Sequence, residues 1–347
     1  MSTSLNPAPP PRSFLDPKVL ARIENLDMLA RTVVEGFING LHRSPHLGFS
    51  VDFAEHRAYM PGDDIRRIDW RLYARTDRYH MKEFEADTNT NVSVLVDISP
   101  SMRFASGALS KLDYARYLAA SLLWFSHRQR DRVGLVTFDD DVVDYVPCSA
   151  KHLRVALQAL GRLDAGAAVD QGQGPGAGPG PEKSSASTGA RSQAVDERLS
   201  SVYGPPLDKI SHEFRRRSIL VVISDLYDEP ERVVAAIARL RNRGNDLLVM
   251  HVLDPAELEF PYDEASGFRD LETGEQIPVV PEQLREQYRA LIAGHVDALR
   301  RKMAERGIDY ALFDTSKPLD YALFEYLAHR QRLRSSGRRP DATGQVR

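Results

Sequence analysis

The 347-residue chain has a single cysteine, Cys148, so no internal disulfide can form and a free, half-buried thiol is expected. No apolar run approaches about 18 residues, so no membrane-spanning helix is expected. The first twelve residues are Pro-rich and lack the apolar core of a signal peptide. A soluble cytoplasmic protein is the resulting expectation, and in that compartment the sequon Asn91-Val92-Ser93 carries no meaning. Charge of one sign is also scarce: 46 basic against 49 acidic residues give a net charge of -3. Nothing global draws such a chain to nucleic acid or an anionic membrane. Three catalytic signatures are missing as well. There is no Gly-Lys-Ser/Thr phosphate loop and no serine on a Gly-x-Ser-x-Gly turn, and the ten histidines offer no evident base.

What the sequence does have is a pair of apolar runs that end in acids and hydroxyls. Residues 92–96, Val-Ser-Val-Leu-Val, stop at Asp97-Ile98-Ser99-Pro100-Ser101. Residues 218–223, Ser-Ile-Leu-Val-Val-Ile, stop at Ser224-Asp225-Leu226-Tyr227-Asp228. Each reads as a buried strand with a polar carboxyl end. In an open parallel sheet, ligands bind in the crevice outside those ends. Parallel strands would bring Asp97 and Asp225 out on one rim together with Ser99 and Ser101. Carboxylates and hydroxyls without cysteine or histidine form a hard oxygen set, which magnesium prefers. A plainer alternative stays open: a serine caps the following helix and Asp97 is a hydrogen-bond hub. Asp228 reads either as support for Asp225 or as a helix cap before Pro230. Aspartyl phosphatase chemistry needs a second acid two residues after Asp97, where Ser99 stands instead.

Asp-x-Ser-x-Ser after a strand, with a distant strand-end Asp, resembles the metal-ion-dependent adhesion site of von Willebrand factor A domains. The flanking text is more specific. Arg57-Ala-Tyr-Met-Pro-Gly-Asp-Asp-Ile-Arg-Arg-Ile-Asp-Trp70, then Ala74-Arg75-Thr76, then Lys82-Glu83-Phe84-Glu85, resembles the bacterial family called domain of unknown function 58. That resemblance spans residues 29–330. It implies a von Willebrand factor A-like fold and association with MoxR-type AAA+ ATPases, and it supplies no settled activity. Adhesion-type sites usually add a threonine from a later loop, and Thr188 is the weak candidate here.

Taken in order, residues 1–15 read as disordered. Residues 16–90 form an N-terminal extension: one or two helices over 16–41, a strand at 48–53, then a charge-dense segment with a turn at Pro61-Gly62. Arg57, Asp63, Asp64, Arg66, Arg67, Asp69, Trp70 and Arg75 in that segment read as an ion-pair clamp anchored by Trp70, or as an interaction surface for a partner. Residues 91–333 read as the A-like domain: an α/β fold with a mostly parallel, Rossmann-like sheet covered by helices on both faces. Within it, 132–138 and 142–146 form a hairpin around Asp139-Asp140-Asp141, a solvated turn. The Gly/Pro- and Ser-rich stretch 165–192 is a flexible insertion. His251 lies inside a strand and reads as a packed core residue. A hairpin around Thr273-Gly274-Glu275 is expected on the sheet edge, long helices over 282–306 and 318–333, and a disordered tail over 334–347.

The function expected from this reading is a non-enzymatic, magnesium-dependent protein-interaction module. It would bind a client carboxylate and work with a MoxR-type AAA+ ATPase in protein assembly or maturation, with no nucleic acid and no membrane span. The alternative is a magnesium-dependent hydrolase of phosphate or acyl esters.

Overall fold

The computed structural model describes residues 20, 23, 25–43, 56–58, 73–75, 77–82, 90–163, 204–214, 217–241, 244–263, 266–269, 276–279 and 281–336. Six strands make the central sheet: β3 (Asn91–Asp97), β4 (Arg132–Phe138), β5 (Val142–Ser149), β6 (Ser218–Ser224), β7 (Asp246–Leu253) and β10 (Asp309–Asp314). Their order across the sheet is β10-β7-β6-β3-β4-β5. All neighbours run parallel except β4 and β5, which pair antiparallel. From β3 the chain winds first to one side and then back to the other, which is the doubly wound order and puts a topological switch point between β3 and β6. With its antiparallel edge strand, this is an α/β, von Willebrand factor A-like sheet.

Period-two alternation splits the strands between two cores. Val92, Val94 and Val96 of β3 join Val133, Leu135, Val221, Ile223, Met250 and Phe313 on one face. Helices α1 (Leu26–Arg43), α2 (Lys111–Arg128), α3 (Leu153–Arg162) and α8 (Leu319–Ser336) cover that face. Leu95, Val136, Leu220, Val222 and Val249 look the other way, under α4 (Gly204–Glu213), α5 (Pro230–Arg241) and α7 (Pro281–Glu305). The N-terminal helix α1 therefore belongs to the main core: Leu29, Val33, Val34 and Phe37 are buried in it, and Phe37 meets Phe125 of α2 edge-on at 6.3 Å.

Two small antiparallel ribbons stand apart from the sheet. One joins β1 (His56–Ala58) to β2 (His80–Lys82). The other joins β8 (Ser266–Arg269) to β9 (Gln276–Val279). The second corrects the expectation of a hairpin on the sheet edge: β10 and β5 hold the two edges. Its aromatic residue packs elsewhere, Phe268 stacking on Phe260 at 5.6 Å and meeting Tyr262 at 4.9 Å. The strand expected at 48–53 and the insertion 165–192 lie outside the described residues. Among the described residues no helix is long and apolar enough to cross a membrane.

Gly134 permits the antiparallel edge. A Cβ there would lie 2.9 Å from the Val146 carbonyl oxygen and 3.0 Å from both the Cys148 amide nitrogen and its thiol. Two of those neighbours are backbone and cannot swing aside. Gly134→Ala is therefore expected to cost about 1–3 kcal/mol, as overpacking typically does, read as a fall in urea midpoint at unchanged slope.

Candidate functional site

The register of β3 on β6 pairs Val96 with Ile223, so Asp97 emerges beside Ser224 and Asp225 follows one residue later. Both carboxylates stand at the switch point of the sheet and both are 1% exposed. Asp97 is held at both oxygens. Its Oδ1 accepts the Ser99 amide at 2.9 Å and its Oδ2 accepts the Ser224 hydroxyl at 2.6 Å. Burial first, and the Asp225 charge second, push the Asp97 carboxyl up to about 7.

Ser99 sits at the N-cap of a short 3-10 turn, Pro100–Arg103, yet its hydroxyl makes no capping bond. It lies instead 3.1 Å from the Ser101 hydroxyl. The two hydroxyls therefore meet beside Asp97, and that of Ser99 does not cap the following turn.

Asp225 is divided between its two oxygens. Oδ2 accepts the Lys111 ammonium at 2.8 Å. Oδ1 is buried and has no hydrogen-bond partner among the described residues. Buried carboxylate oxygens are rarely left in that state, because the desolvation penalty is uncompensated. The backbone that presents Asp225 is strained next door: Leu226 is a fully buried residue at φ 51°, a left-handed conformation costing about 1–3 kcal/mol in a non-glycine residue. The Leu226 amide donates to the Ser224 hydroxyl at 3.0 Å, which fixes the turn.

Lys111 was not visible as a site residue. It opens α2 and is fully buried, bonding Asp225 and, at 2.7 Å, Glu257. Its ammonium also lies 4.7 Å from the Tyr227 ring and 5.9 Å from that of Phe104. Burial works against its charge, but the two carboxylates outweigh this and its pKa stands above the ordinary lysine value. Glu257 belongs to the short helix α6 (Pro255–Glu259), which the sequence reading passed over. The signal was available: Asp254-Pro-Ala-Glu257 is a capping box. Asp254 accepts the Ala256 amide at 2.8 Å, and Glu257 accepts the Asp254 amide at 2.9 Å. Asp254 also accepts the Ser106 amide at 3.0 Å and the Ser106 hydroxyl, which ties the loop after the serines to the end of β7. Its oxygens are thus spent on structure.

The linked cluster carries three acids, Asp97, Asp225 and Glu257, against the one ammonium of Lys111. Hydroxyl and carboxylate oxygens are the donors a divalent cation would use. In donor chemistry the set would suit magnesium: the hydroxyls of Ser99 and Ser101, Oδ1 of Asp225, and Asp97 beside the serines. Among the described residues no group of three or more His, Cys, Asp or Glu side chains could hold a metal.

His251 is a core residue and not a donor. It is fully buried, its Nδ1 2.6 Å from the Tyr310 hydroxyl. Burial, helped by His295 and outweighing the Asp225 carbonyl, pulls its pKa down to about 3. Asp228 is half-buried and accepts the Glu229 amide at 2.6 Å, a local turn bond before α5. Asp141 is paired at the surface with Lys209 at 2.7 Å. Cys148 is free and half-buried, 3.0 Å from the Ser93 hydroxyl. Thr188 lies outside the described residues, as do Asp63, Asp64, Arg66, Arg67, Asp69 and Trp70. Arg57 pairs by its backbone with Met81 in the first ribbon, and Arg75 is exposed in a helical turn, residues 73–75.

Residues 55–298 match the family described as "Protein of unknown function DUF58". Uncharacterized protein Rv1480 of Mycobacterium tuberculosis is 24% identical over 326 residues, spanning 91% of each chain. Among solved structures, an aerotolerance-related membrane protein from Bacteroides fragilis is 18% identical, covering 71% of this chain and 99% of its own, with a TM-score of 0.43. The SpRpn10 VWA domain is 12% identical, covering 68% and 93%, with a TM-score of 0.31.

Proposed function

We propose, from the premise that the chain belongs to the DUF58 family, that its switch-point rim is a magnesium-dependent docking site for a protein partner. The observation that carries this reading is the buried Oδ1 of Asp225, which has no hydrogen-bond partner among the described residues. A bound magnesium ion would supply positive charge and open coordination positions, one of which a carboxylate of the partner fills. The chain's own residues do the rest. Ser99 and Ser101 present hydroxyls, Asp97 is kept in place by the Ser99 amide and the Ser224 hydroxyl, and Lys111 holds Asp225 by its other oxygen. Tyr227, 40% exposed, stands at the lip where a partner would arrive. The function read from this rim is binding and not turnover. The partner that the family resemblance implies is a MoxR-type AAA+ ATPase in the cytoplasm, acting with this chain in assembly or maturation of a client.

The test is capture of partners by the immobilised chain from its host, with magnesium and with chelator, for wild type and Asp97→Ala. The expected outcome is an ATPase or client retained only by wild type with magnesium. Equal retention by the variant, or in chelator, would remove the metal from the proposal.

A further inference from the structure

Resting on that reading of the rim, we infer that Lys111 is a metal-specificity residue, biasing the site toward magnesium and against calcium. Each carboxylate has little left to offer a cation. Asp225 has one oxygen committed to the Lys111 ammonium at 2.8 Å and only Oδ1 without a partner. Asp97 already accepts a hydrogen bond at each oxygen, from Ser99 and from Ser224. Neither acid is free to embrace a cation with both oxygens. The remaining donors, Ser99 and Ser101, give one oxygen each. Such a set suits the small octahedral ion, which takes one or two carboxylates singly and keeps its waters. Calcium favours six to eight oxygens and readily uses carboxylates in the two-oxygen mode.

Lys111 enforces this from behind. It is immobilised by Glu257 at 2.7 Å and by the flanking rings of Tyr227 and Phe104, so Asp225 cannot rotate without breaking a buried ion pair. Removing the ammonium frees Oδ2 of Asp225 and turns the acid into a potential two-oxygen ligand. Charge alone would also change cation affinity, but it would act on both ions alike. The double substitution Lys111→Met/Glu257→Gln separates the effects, because it removes one positive and one negative charge and leaves the cluster's net charge as it was.

The experiment titrates magnesium and calcium separately into metal-stripped wild type, Glu257→Gln, Lys111→Met and the double variant by calorimetry. In both Lys111 variants the ratio of the calcium to the magnesium Kd is expected to fall about tenfold or more, and in Glu257→Gln, whose amide oxygen can still accept from the Lys111 ammonium, to fall less. If Lys111→Met does not fold, the double variant, which orphans no glutamate, supplies the reading. A ratio in the double variant within about threefold of wild type overturns the inference while leaving the rim reading intact. Wild type that takes up neither ion overturns the rim reading itself.

Discussion

Lys111→Met is expected to lower the free energy of unfolding by about 3–5 kcal/mol, the usual cost of removing one partner from a buried ion pair. The lysine is completely buried and serves two carboxylates at once, Asp225 and Glu257. Methionine fills much of the same volume, so little of the loss comes from packing. What remains is two acids in a desolvated place, now facing each other and Asp97 without compensation. The loss should therefore be recovered in large part when the charges are removed as a set, in Lys111→Met/Asp225→Asn/Glu257→Gln. Urea denaturation in chelator measures both. A single-variant loss below about 1 kcal/mol would mean that the ammonium is worth no more than a surface pair, contrary to its burial.

The second large effect concerns pH, through two groups whose contributions oppose each other. Asp97 is raised from 3.8 to about 7 in the folded chain. Between those values the folded state holds a proton that the unfolded state has lost, so stability is fully present below about pH 4 and is lost as pH rises to 7. His251 is lowered from 6.5 to about 3. In that window the unfolded state holds the extra proton, so its contribution is present above about pH 6.5 and is lost as pH falls toward 3. Each slope is about 1.4 kcal/mol per pH unit, and each totals on the order of 4 kcal/mol over its range. In metal-free wild type they largely cancel. Asp97→Asn should unmask the histidine: relative to wild type, its stability should climb with pH between about 4 and 6.5. Magnesium should do the same to wild type, since a cation beside Asp97 favours the ionised carboxylate at every pH in the window. Parallel pH curves for wild type and Asp97→Asn would show that the Asp97 carboxyl titrates normally and is not buried against Asp225.

Much of the framework was legible because burial on both sheet faces writes itself as uninterrupted apolar text. The runs at 92–96 and 218–223 became β3 and β6, and the abrupt acids after them fell at the switch point. That logic places a residue at a strand end; it says nothing of what meets it there. Lys111 and Asp225 are 114 positions apart, and only the crossing of α2 behind the rim joins them. A lysine at the start of a helix reads as solvated until the helix's core face is known. The hairpin of β8 and β9 was read correctly in type and wrongly in place, because pairing between two short strands is local whereas docking depends on Phe260 and Tyr262. The hydroxyl of Ser99 was ambiguous between capping and facing the rim; it makes no capping bond and lies 3.1 Å from the Ser101 hydroxyl.

The most direct measurement is calorimetric titration of magnesium into the metal-stripped chain, wild type beside Asp225→Ala. Wild type should show saturable binding of one ion, with protons released near pH 7 as Asp97 ionises, and the variant should show none. Heats indistinguishable between the two, or absent from both, would contradict a cation held between the two serines and the free oxygen of Asp225.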